Sequence, residues 1–206
     1  MRYTGPKNRL ARREGIDLGL KTPGTKAYSS LTRKLNILPG QHGGARRKKL
    51  TDYGVQLREK QRMKRMYGIT ERQMKNYFKK ASKMMGNTAD ILIQILERRL
   101  DNVIYKLGLA PTRSSARQLV THGHMQVNNK KVTIPSYLIK EGDIISFHKK
   151  KSINIPYISQ MLEKKDIVIP EWLMREGPVG KIVRIPKKED SREDINLQLV
   201  VEFYSR

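Results

Sequence analysis

The sequence has 206 residues, 43 of them Lys or Arg against 19 Asp or Glu, for a formal net charge of +24. Cysteine is absent, which excludes a disulfide framework, Cys-ligated zinc and thiol catalysis. The start, Met1-Arg2-Tyr3-Thr4-Gly5, leads into no apolar run, and no apolar stretch nears the roughly 18–20 residues of a spanning helix, so neither a signal peptide nor a membrane span is expected.

The positive excess is +17 over residues 1–90 and +7 over residues 91–206. Such an imbalance resists compaction unless a polyanion neutralises it, which points to a nucleic-acid partner for a soluble, intracellular protein. Residues 1–50 show no sustained apolar period and are punctuated by Gly5-Pro6, Pro23-Gly24, Pro39-Gly40 and Gly43-Gly44. They read as an extended, turn-rich basic arm without a core, ordered by its partner. From Thr51 the pattern turns helical, with Tyr53, Leu57, Met63, Met66 and Tyr67 at helical spacing up to Gly68. Thr70 and Gln73 make a capping box for a second helix reaching about Met85, before Gly86-Asn87. A third helix follows Thr88, carries Leu92, Ile95, Leu96, Leu100, Val103, Ile104 and Leu107, and closes at Gly108. Thr112 caps a short helix over residues 112–122, with Ala116, Leu119 and Val120 on one face and Gly123 ending it.

Strands are expected next. Met125 and Val127 alternate with polar neighbours, Asn128-Asn129 is a turn, Val132 and Ile134 resume the alternation, and Ile144–Phe147 follows a turn at residues 140–143. Ile167–Ile169 and Ile182–Ile185 read as further strands. Residues 196–204 fit a strand through Leu197, Leu199, Val201 and Phe203, and a helix through Leu197, Val200, Val201 and Tyr204.

Two constellations carry the chemistry. Arg46-Arg47-Lys48-Lys49 with Arg58, Lys60, Arg62, Lys64 and Arg65 puts nine cations within twenty residues, with only Asp52 and Glu59 among them. A solvated charged face normally mixes both signs, so this run is expected to lie along phosphates and release their counterions. Further on, Arg113 and Arg117 are four apart and share a helix face beside Gln118. His122-Gly123-His124 then turns into the hairpin, an arrangement suited to folded or double-stranded RNA. Two alternate histidines without Cys do not complete a metal shell. Arg99-Leu100-Asp101 looks like the motif around the catalytic Asp of pseudouridine synthases, but Leu100 belongs to the apolar stripe, and a helix-face salt bridge is expected instead. Gly177-Pro178-Val179-Gly180-Lys181-Ile182 lacks the spacing and the hydroxyl of a phosphate loop. With no nucleophile elbow and no acid/base pair, the chain is not expected to be an enzyme.

Pro39-Gly40-Gln41-His42-Gly43 and the segment from Arg46 to Gln61 closely resemble the bacterial ribosomal protein S-four family of the small subunit. So do Leu96-Glu97-Arg98-Arg99-Leu100-Asp101-Asn102-Val103, Ala116-Arg117-Gln118-Leu119-Val120-x-His122-Gly123-His124 and Val201-Glu202-Phe203-Tyr204-Ser205-Arg206. The resemblance implies an α+β fold. After the basic arm of residues 1–50 comes a helical domain built from 51–90 and 186–206. Inserted in it is a mixed α/β domain of 91–185, carrying a small RNA-binding module at about 97–160.

It implies binding to 16S ribosomal RNA and a part in starting small-subunit assembly. It also implies contact with protein S-five and with mRNA at the entry path, and an influence on decoding accuracy. No cofactor, small-molecule substrate or membrane is expected, and the location would be the ribosome of a cytoplasm or an organelle. The residues expected on RNA are Arg2, Lys7, Arg9, Arg12, Arg13, Arg46, Arg47, Lys48, Lys49, Tyr53, Gln56, Arg58, Lys60, Arg62, Lys64 and Arg65, with Arg113, Arg117, Gln118, His122 and His124 in the module. Zinc-carrying members have four Cys that would fall at Asn8, Ala11, Thr25 and Ser30, so this chain resembles the zinc-free type. The competing readings are an RNA-modifying enzyme, which would need a catalytic domain, and a free RNA-binding regulator, which would lack the arm.

Overall fold

The computed structural model describes residues 3–44, 49–164, 167–191 and 195–206. In chain order the helices are α1 (Lys7–Glu14), α2 (Lys26–Arg33), α3 (Asp52–Met66), α4 (Glu71–Ala81), α5 (Thr88–Glu97), α6 (Leu100–Lys106), α7 (Arg113–Thr121), α8 (Pro156–Glu163) and α9 (Leu197–Ser205). The strands are β1 (Met125–Val127), β2 (Lys130–Lys131), β3 (Ile144–Phe147), β4 (Leu173–Glu176) and β5 (Val179–Ile182). The chain divides into two units, Met1–Leu92 with Glu193–Arg206, and Ile93–Arg192. Helices beside an antiparallel sheet give the α+β class. No helix among the described residues is long and apolar enough to cross a membrane.

In the first unit the caps act where the sequence places them. The Thr51 hydroxyl accepts from the Gly54 N–H to open α3, and Thr70 and Gln73 close the capping box of α4. α4 stops at Ala81 and not near Met85, because Ala81 is its last buried residue. Residues 82–87 are exposed, so even Met84 and Met85 bury no apolar surface that would hold another turn. The expected coreless arm is corrected: residues 3–44 contain α1 and α2, with Ala11, Leu18 and Leu31 fully buried. Asn8 donates to the Ala27 carbonyl, and Arg12 to those of Ile37 and Leu38. The helix reading of the tail prevails. Asn196 caps α9, and Leu197 and Val200 are buried. Phe203 lies 5.7 Å from the Tyr53 ring, and Tyr204 stacks on Phe78 at 5.1 Å.

In the second unit the single long helix expected from Thr88 to Gly108 is two helices. Residues 135–139 take the hydrogen bonds at the joint: Leu100 N–H donates to the Tyr137 carbonyl, Asp101 N–H to Pro135, and Ile139 N–H to Arg98. Arg99 is extended there and bridges Leu138. This also ends the first hairpin early. β2 stops at Lys131, and Ile134, expected in the strand, is exposed. Asn128 and Asn129 both take positive φ and form the expected turn.

The sheet order is β2-β1-β3-β5-β4, antiparallel throughout. Ile167–Ile169 is not a strand, and the last hairpin lies at 173–182, overlapping the expected 182–185 strand only at Ile182. Gly177-Pro178, set aside above as a phosphate loop, is its turn. A β-carbon at Gly180 would come within 2.3 Å of Leu107 Cδ1, so only glycine lets β5 approach α6 this closely. Leu100, Ile104, Leu119, Val120, Ile145 and Trp172 form the core between helices and sheet.

Candidate nucleic-acid interface

Every cation of α3 has an acidic partner. Arg58 lies 3.2 Å from Glu14, whose side chain is fully buried, and Arg65 pairs with the same carboxylate. Arg62 pairs with Glu59 and donates to the Glu14 carbonyl. Lys60 and Lys64 reach Glu71 at 3.0 and 2.9 Å. Burial pushes the Glu14 carboxyl up against the opposing pull of Arg65, Arg58 and Arg62, and burial likewise lowers the Arg65 guanidinium. Burial would raise Glu71 too, but hydrogen bonds from Tyr204, Lys64 and Lys60 outweigh it and hold that carboxyl at about 2.

Of the residues expected on RNA, α3 therefore presents Arg58, Arg62, Lys64 and Arg65 half-buried, each tethered on one side. Lys60 is different. It is only 4 % exposed and sits 4.6 Å over the Phe203 ring, so α9 covers it. Gln56 is also buried and donates to Glu202, whereas Tyr53 is exposed. In the preceding segment Arg9, Arg13 and Lys49 are exposed, while Lys7 and Arg12 are half-buried. Arg2, Arg46, Arg47 and Lys48 lie outside the described residues.

The module's site is built on α7. Thr112 caps the helix by accepting from the Ser115 N–H, and the Ala116–Leu119–Val120 face is buried as expected. The opposite face presents Gln118 and then His122, both exposed, with Arg117 half-buried between the two faces. His122 and His124 hold their rings 6.2 Å apart, and His124 Nδ1 lies 2.9 Å from the Ser152 hydroxyl.

Arg113 is drawn inward. It donates to Asn102 Oδ1 at 2.8 Å and lies 4.7 Å over the Tyr105 ring, with the residue 7 % exposed. Asn102 in turn donates to Glu97 Oε2 at 2.8 Å. Asp101 meets two nitrogens of the buried Arg99, at 3.0 and 2.6 Å, and Arg117 at 3.6 Å. The salt bridge expected at Arg99–Asp101 is present, although Arg99 caps α6 and does not sit on a helix face. Sequence reading missed that Glu97, Asp101 and Asn102 hold the module's arginines. The available signal was charge at 97, 99 and 101 bracketing Leu100 in an apolar stripe.

Residues 2–97 match the family described as Ribosomal protein S4/S9 N-terminal domain, and residues 98–145 match the S4 domain. The chain is 49 % identical to the small ribosomal subunit protein uS4 of Dictyoglomus thermophilum and 49 % identical to that of Aquifex aeolicus. In each case the match covers 100 % of this chain and 99 % of the relative. Its identity to the small ribosomal subunit protein uS4A of Symbiobacterium thermophilum is 46 %, with the same coverage.

Proposed function

The chain belongs to the ribosomal protein S4 family, and from that membership we propose that it is a structural, non-enzymatic constituent of the small ribosomal subunit that binds 16S rRNA early and nucleates assembly. The observation that carries this reading is the full-length likeness to small-subunit proteins in a chain of net charge +24. A polyanion as large as ribosomal RNA neutralises such a charge. The contacts proposed for RNA are the half-buried cations of α3, the exposed cations Arg9, Arg13 and Lys49, the basic run at 46–48, and the Arg117, Gln118 and His122 face of α7. A framework of fixed side chains facing a backbone suits shape recognition of folded RNA.

Purified protein is expected to bind protein-free 16S rRNA saturably in a filter assay. Reconstitution of small subunits without it is expected to stall at incomplete particles on a sucrose gradient. Binding only after other subunit proteins have been added would overturn the nucleating role.

The finer reading is that the protein also contacts protein S-five and mRNA at the entry path and thereby influences accuracy. It is supported by the dense apolar tail, which α9 packs against Tyr53, Lys60 and Phe78 within the first unit. Truncation after Asn196 is expected to raise stop-codon readthrough, because loosening one contact by about 1.4 kcal/mol shifts a two-state equilibrium tenfold. Wild-type readthrough, with the truncated chain verified in the subunit, would assign α9 to the core alone.

A further inference from the structure

Five of the nine cations marked by sequence density lie on α3, and the fold has paired each of those five with an acid. α4 is the reverse. Arg72, Lys75, Lys79 and Lys80 lie on it and Lys83 in the turn that follows, all five are exposed, and none has an ion pair among the described residues. At 3.6 residues per turn the four on α4 span an arc of about 140° centred opposite the buried Met74, Tyr77 and Ala81. The acid nearest in sequence, Glu71, sits at the edge of that arc and is taken by Lys60, Lys64 and Tyr204. After it no acid occurs before Asp90.

Arg72–Lys75 and Lys75–Lys79 are like-charge neighbours at helical spacing, which weakens a helix. A face selected for stability alone would alternate signs, as α3 does with its partners. We infer that this face of α4 is a second phosphate track, separate from α3, which lies along the backbone of a double-helical RNA segment; the inference rests on the rRNA-binding reading above. Three features support that choice of ligand. Lysine predominates, and its ammonium is a point charge suited to a backbone, whereas a fork is suited to base edges. Along α4, Arg72, Lys75 and Lys79 step about 4.5 and 6 Å, which is three and four residues of rise and comparable to the step between phosphates of one strand. The face carries no aromatic side chain on which unpaired bases could stack.

The test compares full-length chains in a salt titration of 16S rRNA binding. One carries Arg72→Gln, Lys75→Gln, Lys79→Gln and Lys83→Gln. A control loses the same charge at exposed lysines elsewhere, through Lys140→Gln, Lys164→Gln, Lys181→Gln and Lys188→Gln. Glutamine keeps helix propensity, so the α4 variant is expected to melt at the wild-type temperature or above it. Its log–log slope is expected to fall by about 3, from 0.7–0.9 per lost contact, with the control unchanged. Lys75→Arg, Lys79→Arg and Lys83→Arg together, which keep the charge, are expected to keep the slope. An α4 variant that folds and matches the slope of a wild-type chain that does bind overturns the α4 track alone. A wild-type chain that shows no salt-dependent binding overturns the underlying reading first.

Discussion

Replacing Asp101 by alanine is expected to destabilise the second unit by about 3–5 kcal/mol, the range for removing one partner of a buried ion pair. Arg99 is 1 % exposed, and the Asp101 carboxylate meets two of its nitrogens. Without it the guanidinium loses this carboxylate in a place water does not reach. The same carboxylate also stands 3.6 Å from Arg117 and accepts the Asn102 N–H. Its loss therefore reaches the start of α6 and the one arginine of α7 that stays half-exposed. Asp101→Asn keeps the shape and one acceptor and is expected to cost less. Urea unfolding with hydrogen exchange of the α6 and α7 amides measures both. A cost below about 1 kcal/mol for the alanine variant would show that Arg99 is neutralised elsewhere.

A second large effect is expected at Val200→Asp, on the order of 4 kcal/mol, because it puts a charge on the fully buried face of α9. The helix would leave α3, exposing Lys60 and freeing Gln56 from Glu202. Amide exchange along α3 is the direct readout and is expected to accelerate by orders of magnitude. Gln198→Asp places the same charge on the exposed side, in the first turn, where it favours the helix dipole. It is expected to leave exchange unchanged. Equal effects of the two substitutions would mean that α9 is held by something other than its apolar face.

The helices that could be read in the sequence are those whose start signals are local. Thr51, Thr70 with Gln73, and Thr112 each cap a helix within three residues of themselves, and the apolar spacing behind them is regular. What could not be read depends on partners distant in the chain. Nothing in residues 97–101 foretells that Tyr137 and Pro135 will accept their amides and break the helix. The helices of the first fifty residues are short, and Leu18 and Leu31 are too far apart to make a visible period.

The same holds for the site. The density of positive charge on α3 is plain in the sequence, but the carboxylate that organises it, Glu14, is 44 residues from Arg58 and 51 from Arg65. Density therefore located charge without locating the charge that is free. Arg113 is the clearest case. Its spacing from Arg117 gave both the same face, yet the two guanidinium groups part company, one turning to Asn102 and the other to Asp101.

The tie between α3 and α9 also sets a clock. Gln56 and Glu202, which hydrogen-bond across it, are 146 residues apart. At a synthesis rate of ~5–20 residues per second, roughly 7 to 30 s pass after Gln56 is made before Glu202 exists. Through that interval Lys60 lacks Phe203, Phe78 lacks Tyr204, and Tyr53 has no ring against it. The stretch Ile93–Arg192 is one compact, uninterrupted unit, and all of it is made before residue 193. A nascent chain therefore carries a middle that can be finished while its earlier-made beginning is still waiting for its lid.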